Sequence, residues 1–345
     1  MSDSTETMRA AQFLGPHQLE VRRVNLPDIA DGEALVAIEA CGFCGSDLNI
    51  LAGTHPRARA PLTVGHELAG RIVQIKDDAT GLDVGDRVVV FPLITCGKCY
   101  ACTHGQSHVC RQLRLFGIDA DGGMAQFAKL PVSALVPLPA EMPYEVGALV
   151  EPLAVVVHGI SRIPYDDVEI AVVLGAGPIG LLTALVAKAR GIPKVLVSDP
   201  LLHRRELAEQ LGLHAVAAGG ELHSLVMELS DNNGADVIYE CAGHPSAAVE
   251  MTALARSRGA IINLGVFKKP VEIDMQVVNF KELEVFGSRV YAREDFEEAL
   301  RLAPLLPLQA LITRTFPLDQ AETALQQFSA GEVCKAIIFP QQGPA

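Results

Sequence analysis

From Ile170 to Ala187 the chain reads IAVVLGAGPIGLLTALVA, eighteen residues without a charge. On length alone this just reaches a membrane span, but its composition points elsewhere. Three glycines and Pro178 split it into a β-branched run of five residues and a helical run, as a buried parallel strand, a tight turn and a helix read in sequence. Gly175, Gly177 and Gly180 form the G-x-G-x-x-G spacing that lets backbone approach a pyrophosphate at a helix N-terminus, with Pro178 and Ile179 inside the turn. Alone that motif is weak. Here a strand precedes it, a helix through LLTALVAKAR follows, and a second strand, KVLVSDP, ends at Asp199, nineteen residues after Gly180.

This context predicts a Rossmann unit. Further βα units follow at ADVIYECAG (235–243), a helix around Ser246 to Arg256, GAIINLG (259–265) and LEVFGS (283–288), so the sheet is predicted to be parallel and doubly wound, an α/β arrangement. Asp199 at the end of its strand would accept both ribose hydroxyls of NAD and repel a 2′-phosphate, which favours NAD over NADP. His203, Arg204 and Arg205 stand against that preference if they ride up to a phosphate, and otherwise form a solvated helix face.

A chain of 345 residues exceeds the length at which one core stops growing, so two domains are expected. The net charge of -13 would repel a phosphate backbone and anionic lipid, which excludes nucleic acid and membrane as expected partners and leaves a small neutral or polar molecule. The N-terminus, MSDSTETMRA, lacks the basic start and apolar run of a secretory signal, so a cytoplasmic location is expected.

In a reducing cytosol, clustered thiols are more often metal ligands than disulfides. Residues 94–110 read ITCGKCYACTHGQSHVC, and Cys96, Cys99, Cys102 and Cys110 hold half of the eight cysteines. Four soft anionic ligands at this spacing close a tetrahedral structural zinc site with no open position, in a lobe over 94–112. Ligand type alone also admits an iron–sulfur cluster. A second, open site requires three donors and one exchangeable position, and Cys44, His66 and Glu67, from CGFCGSDLN and TVGHELAG, can supply that set. Taken singly, each residue is equally a small core thiol or a satisfied polar pair.

The segments GFCGSD, GHELAG, the four-cysteine lobe and GAGPIG occur in this order over nearly the whole chain. Together they resemble the zinc-dependent medium-chain alcohol dehydrogenases, in the branch of polyol (sorbitol), threonine and sugar-acid dehydrogenases. The resemblance implies a β-rich GroES-like catalytic domain over 1–154 and 292–345, matching the short β-rich segments before residue 155, and a Rossmann dinucleotide-binding domain over 155–291. It implies two Zn2+ per chain and NAD. Cys44 rather than Cys41 becomes the catalytic ligand with His66 and Glu67, and Glu151 is a carboxylate that reaches the zinc directly or through water, or else a cap or buried salt bridge. Arg204 resembles an arginine that packs by the adenine.

Ser46 matches the hydroxyl that begins a proton relay, or is a turn-capping serine, and Asp47 the carboxylate that orients a ligand histidine. Many relatives carry a histidine where this chain has Asn49, which cannot titrate. His55 is a substitute, a substrate contact or a surface-loop residue. GSRVYAR falls where polyol-type relatives place substrate groups, so Arg289, Tyr291 or Arg293 meets a hydroxyl or carboxylate, or is a surface residue of the domain join. The activity implied is hydride transfer from a secondary alcohol of a polyol, sugar or sugar acid to NAD, giving a ketone. L-Threonine or vicinal-diol oxidation is the alternative, and a noncatalytic crystallin-like or regulatory protein a third. A homodimer or homotetramer is expected.

Overall fold

A computed structural model describes residues 6–76 and 81–343, so the first five residues of the N-terminal segment read above lie outside the described residues. The chain forms two compact units, one of residues 1–151, 299–304 and 308–345, the other of residues 152–298 and 305–307. The sequence expectation drew the divisions at 154/155 and 291/292. Helix Arg293–Leu302 begins inside the second unit because Asp295 Oδ2 lies 2.8 Å from His158 Nδ1 and accepts from the Ala292 amide at 2.8 Å, while Arg190 donates to Glu298 at 2.7 Å.

The second unit is built on a six-stranded, wholly parallel sheet in the order His214–Val216, Lys194–Ser198, Ile170–Leu174, Ala235–Glu240, Ala255–Asn263, Glu284–Gly287. Winding reverses between Ile170–Leu174 and Ala235–Glu240, so a crevice opens beyond the carboxyl ends of those two strands. All five residues of Ile170–Leu174 are buried, which explains why a continuous apolar run, not an alternating one, marks this strand. The expected helix around 246–256 spans Pro245–Leu254, with His244 at its N-cap and Pro245 in its first turn. Arg256 belongs to the next strand, where it pairs with Asp236 at 2.6 Å.

In the first unit, a seven-stranded sheet runs Leu135–Pro137, Arg87–Val90, Glu67–Ile75, Glu33–Gly42, Lys335–Phe339, Ile312–Pro317, with Phe127–Pro131 also pairing Glu33–Gly42. Pairing is antiparallel except between Ile312–Pro317 and Lys335–Phe339. A three-stranded sheet joins Gln18–Asn25, Thr7–Gly15 and Leu62–Thr63. Among the described residues no helix is long and apolar enough to cross a membrane, since the uncharged run at 170–187 is interrupted by its glycine turn.

Candidate metal centres and dinucleotide site

Strand register brings the first donor set together. In the ladder between Glu33–Gly42 and Glu67–Ile75, Gly42 stands opposite Glu67 and Cys41 opposite Leu68. Residues just beyond the paired ends, Cys44 on one side and His66 on the other, therefore meet. Two glycines permit the approach. A Cβ on Gly42 would fall 2.3 Å from Glu67 Oε2, and one on Gly65, whose φ is +93°, would fall 2.6 Å from Cys41 Sγ. One donor atom from each of Cys44, His66 and Glu67 lies within 4.8 Å of the others, and His66 and Glu67 are buried.

The chemistry of these donors suits a metal. His66 Nδ1, Asp47 Oδ1 and Ser46 Oγ are all buried without a hydrogen-bond partner, while Glu67 Oε2 has the Lys335 ammonium at 2.5 Å, and a folded protein does not leave such a concentration of unsatisfied polar atoms without compensation. Burial pushes the Glu67 carboxyl up to about 7, with Lys335 opposing and Glu151 reinforcing the shift. His66 is raised well above its usual value by the Cys44, Asp47 and Glu151 charges, against its own burial. Cys41 is wholly enclosed and burial keeps its thiol protonated, so the structure leaves it in the core, whereas Cys44 is half-buried at the N-cap of helix Gly45–Leu51.

Asp47 Oδ2 accepts from the Cys44 amide at 2.9 Å, which fixes the helix start, and Asp47 Oδ1 faces His66 Nδ1 at 4.0 Å. That separation is too long for a direct hydrogen bond. Glu151, in the first turn of helix Val150–Ile160, is buried near enough to shift Glu67 and His66 but stands outside the donor cluster. Asn49 offers backbone contacts to Thr54 and His55. His55 Nδ1 accepts from the amides of Arg57 and Ala58 at 3.4 and 3.2 Å, so its hydrogen sits on Nε2, and burial with Arg57 lowers its pKa.

Sequence reasoning missed Lys335. This lysine is 2% exposed and lies 2.5 Å from both Glu67 oxygens, donating to Oε1, and it also donates to the Phe43 carbonyl at 2.9 Å. A lysine directly before the apolar run AIIF was the available signal, because a strand so buried leaves its first side chain little solvent.

The four-cysteine lobe is a second donor set. Its sulfurs approach at 3.5 Å (Cys99 to Cys102), 3.8 Å (Cys99 to Cys110) and 4.0 Å (Cys96 to Cys102). Zinc–sulfur bonds of about 2.3 Å in a tetrahedron put sulfurs about 3.8 Å apart, so the lobe already has the edges of such a site. The amides of Cys96 and Gln112 donate to Cys110 Sγ, and those of Cys102 and Arg111 hold the Cys99 thiol below the usual range.

In the second unit, Gly177 caps helix Pro178–Ala189, with Pro178 and Ile179 in its first turn. A Cβ on Gly180 would fall 1.8 Å from the Gly175 carbonyl oxygen, whereas one on Gly177 would meet nothing within 4 Å, which leaves open the face where a diphosphate must approach. Asp199 is buried. Its Oδ2 accepts from the Ala176 amide at 2.9 Å and faces Arg204 at 3.4 Å, while Oδ1 accepts from the Leu201 amide at 2.9 Å. Arg205 instead donates to the Asp199 and Pro200 carbonyls. Arg289 is exposed, Tyr291 is wholly buried with its ring 5.8 Å from Phe296, and Arg293 pairs with Glu297 at 3.0 Å.

Residues 30–140 match the family model for the alcohol dehydrogenase GroES-like domain, and residues 178–304 the model for zinc-binding dehydrogenase. Over 92% of its length the chain is 37% identical to 2-dehydro-3-deoxy-L-galactonate 5-dehydrogenase of Pseudoalteromonas atlantica, covering 94% of that protein. It is 34% identical to L-threonine 3-dehydrogenase of Thermococcus kodakarensis, over 98% of this chain and 99% of that one. Among solved structures, a zinc-binding dehydrogenase of Sinorhizobium meliloti bound to NADP matches with a TM-score of 0.90 and 30% identity, over 97% of this chain and all of that one. An Escherichia coli CFT073 chain described as a short chain alcohol dehydrogenase, complexed with NADH, matches with a TM-score of 0.89 and 29% identity, over 96% and 99%.

Proposed function

The chain belongs to the zinc-dependent medium-chain alcohol dehydrogenases, and from that premise we propose that it oxidises a secondary alcohol of a sugar acid or polyol to a ketone, with NAD as acceptor and two Zn2+ held per chain. The observation that carries this reading is the meeting of Cys44, His66 and Glu67 around buried polar atoms that nothing else satisfies. The sugar-acid preference rests on the galactonate-type relative, and the relatives named L-threonine 3-dehydrogenase support threonine oxidation as a second reading.

Cys44, His66 and Glu67 hold the catalytic ion, with Glu151 close by as a reserve carboxylate. A zinc ion held there would supply the Lewis acidity that makes an alcohol hydroxyl acidic near neutral pH, and a bound nicotinamide dinucleotide would supply the hydride acceptor. Asp47 orients His66 across the 4.0 Å gap. Ser46 Oγ, buried and unpartnered, would relay the proton released by the substrate, accepting it only as its own hydroxyl proton passes on to solvent water. Asn49 cannot pass it on, and His55, neutral with its hydrogen on Nε2, presents a donor to a substrate hydroxyl instead. In the second unit, Gly175, Gly177 and Gly180 receive the diphosphate at the start of helix Pro178–Ala189. Asp199, at the end of its strand, sets a carboxylate where a 2′-phosphate would come and so supports NAD, and Arg204, facing it at 3.4 Å, offsets part of that preference.

The test is nicotinamide reduction, read by absorbance, on sugar acids, polyols, butane-2,3-diol and threonine, with NAD and with NADP, before and after chelation. Chelator-sensitive turnover of a sugar acid or polyol that favours NAD is expected. Turnover of threonine alone would move the protein to the second reading. Silence toward every substrate, with metal and dinucleotide bound, would sink the dehydrogenase assignment.

A further inference from the structure

Lys335 has no place in the chemistry derived above, yet it is the cation most deeply built into the metal centre. It heads strand Lys335–Phe339, whose next residue, Ala336, accepts from the Phe43 amide, and Lys335 Nζ donates to the Phe43 carbonyl at 2.9 Å, one residue before Cys44. Its other contact is Glu67, where Nζ lies 2.5 Å from each oxygen, a two-oxygen ion pair in which the hydrogen bond runs to Oε1. Side-chain exposure is 3% for the lysine and 0% for the glutamate.

Burying an ammonium costs several kcal/mol unless its partner is well placed, and an apolar side chain at this position would avoid that cost altogether. The surroundings explain what the charge does. Cys44, His66 and Glu67 meet in one cluster with the buried Asp47 carboxylate 4.0 Å from His66, and Lys335 adds a cation to these acidic donors. Its position matters as much as its sign. By sitting against both oxygens it fixes the carboxylate beside the donor cluster, and by withdrawing electron density from it the ammonium weakens Glu67 as a ligand.

We propose that Lys335 is a positioning residue that holds Glu67 through both carboxylate oxygens, presents it as a weakened donor and thereby keeps an ion at Cys44 and His66 exchangeable at its Glu67 position. This rests on Cys44, His66 and Glu67 being the catalytic metal set. Without the ammonium, the carboxylate binds the ion at full strength and no neighbouring positive charge opposes that ion.

The measurement is the rate at which a chelator strips each metal from the zinc-loaded protein, counted by elemental mass spectrometry, with the four-cysteine lobe as the reference site in the same molecule. Lys335→Met is expected to lose the catalytic ion at least about tenfold more slowly than wild type, the scale of outer-sphere effects on metal sites. Lys335→Arg is expected to restore the wild-type rate, and the lobe ion to leave at one rate throughout. In cobalt-loaded protein, the visible bands of Lys335→Met should move because the Glu67 donor has strengthened. A catalytic-site release rate that is unchanged or faster in folded Lys335→Met would overturn the proposal. Should that variant not fold, Glu67→Gln with and without Lys335→Met decides the matter: direct repulsion of the ion by the ammonium persists in that background, so a lysine acting mainly through Glu67 leaves these two within less than about tenfold of one another, and a difference of about tenfold or more rejects it. A wild-type protein that holds metal only in the lobe, and that Cys44→Ser leaves unchanged, would defeat the metal-site assignment itself instead.

Discussion

Replacing Cys99 by alanine asks whether the four-cysteine lobe is held by metal or by packing. Of residues 95–112 only Cys110 is buried, so the lobe has no core to fall back on. A structural zinc site contributes roughly 10 to 16 kcal/mol, about 3 to 4 kcal/mol for each of four thiolates. At about 1.4 kcal/mol per decade, loss of one sulfur weakens the lobe's hold on zinc by about 10²- to 10³-fold. Cys99 is the informative choice, because two backbone amides hold its thiol below the usual range and its sulfur is within 3.8 Å of both Cys102 and Cys110. Hydrogen exchange should accelerate through residues 95–112 while amides of the strand Ile170–Leu174 keep their protection, and elemental analysis should find one zinc fewer per chain. A Cys99→Ala protein with its full metal content and an unchanged exchange pattern in the lobe would refute the reasoning, since packing would then suffice.

Two further expectations concern the second unit. Gly180→Ala places a methyl 1.8 Å from the Gly175 carbonyl oxygen, so the turn must open. NADH affinity by fluorescence titration should fall at least about tenfold, and the midpoint of thermal unfolding should drop by several degrees for the roughly 1 to 3 kcal/mol of overpacking. Glu240 is raised from its ordinary 4.5 by burial, against the amides of Gly243 and Ala242 that donate to Oε1. Above pH 4.5 and up to its folded value the native state holds the extra proton, so this carboxyl costs stability as pH rises through that window. Glu240→Gln keeps the Oε1 acceptor and cannot ionise, so its melting temperature relative to wild type should climb as pH rises above 4.5. A flat difference would show that the buried carboxyl is not paying that penalty.

The strand, glycine turn and helix at 170–189 were legible because each leaves a local mark: β-branched residues, glycines at fixed spacing and a proline in the first helical turn. The four cysteines were equally legible, since all of their ligands fall within one loop. For Cys44, His66 and Glu67 the sequence supplied residue types, and the resemblance chose among them, but the contact depends on a ladder register that no local pattern encodes. Lys335 stayed hidden for the same reason, as its partner Glu67 lies 268 positions away. The helix expected to reach Arg256 stops at Leu254 because strand pairing with Ala235–Glu240 claims the residues that follow. The short edge strand His214–Val216 carries too few residues to show any period.

That separation of 268 positions also sets an order of events during synthesis. A ribosome adding about 5 to 20 residues per second delivers Lys335 roughly 13 to 54 s after Glu67. Throughout that interval Cys44, His66 and Glu67 are exposed to the cell without the strand that closes over them, while residues 152–298, nearly the whole second unit, emerge as one uninterrupted stretch able to fold first. Glu67 therefore gains its buried ammonium partner among the last residues made, after every strand of the six-stranded parallel sheet has been synthesised.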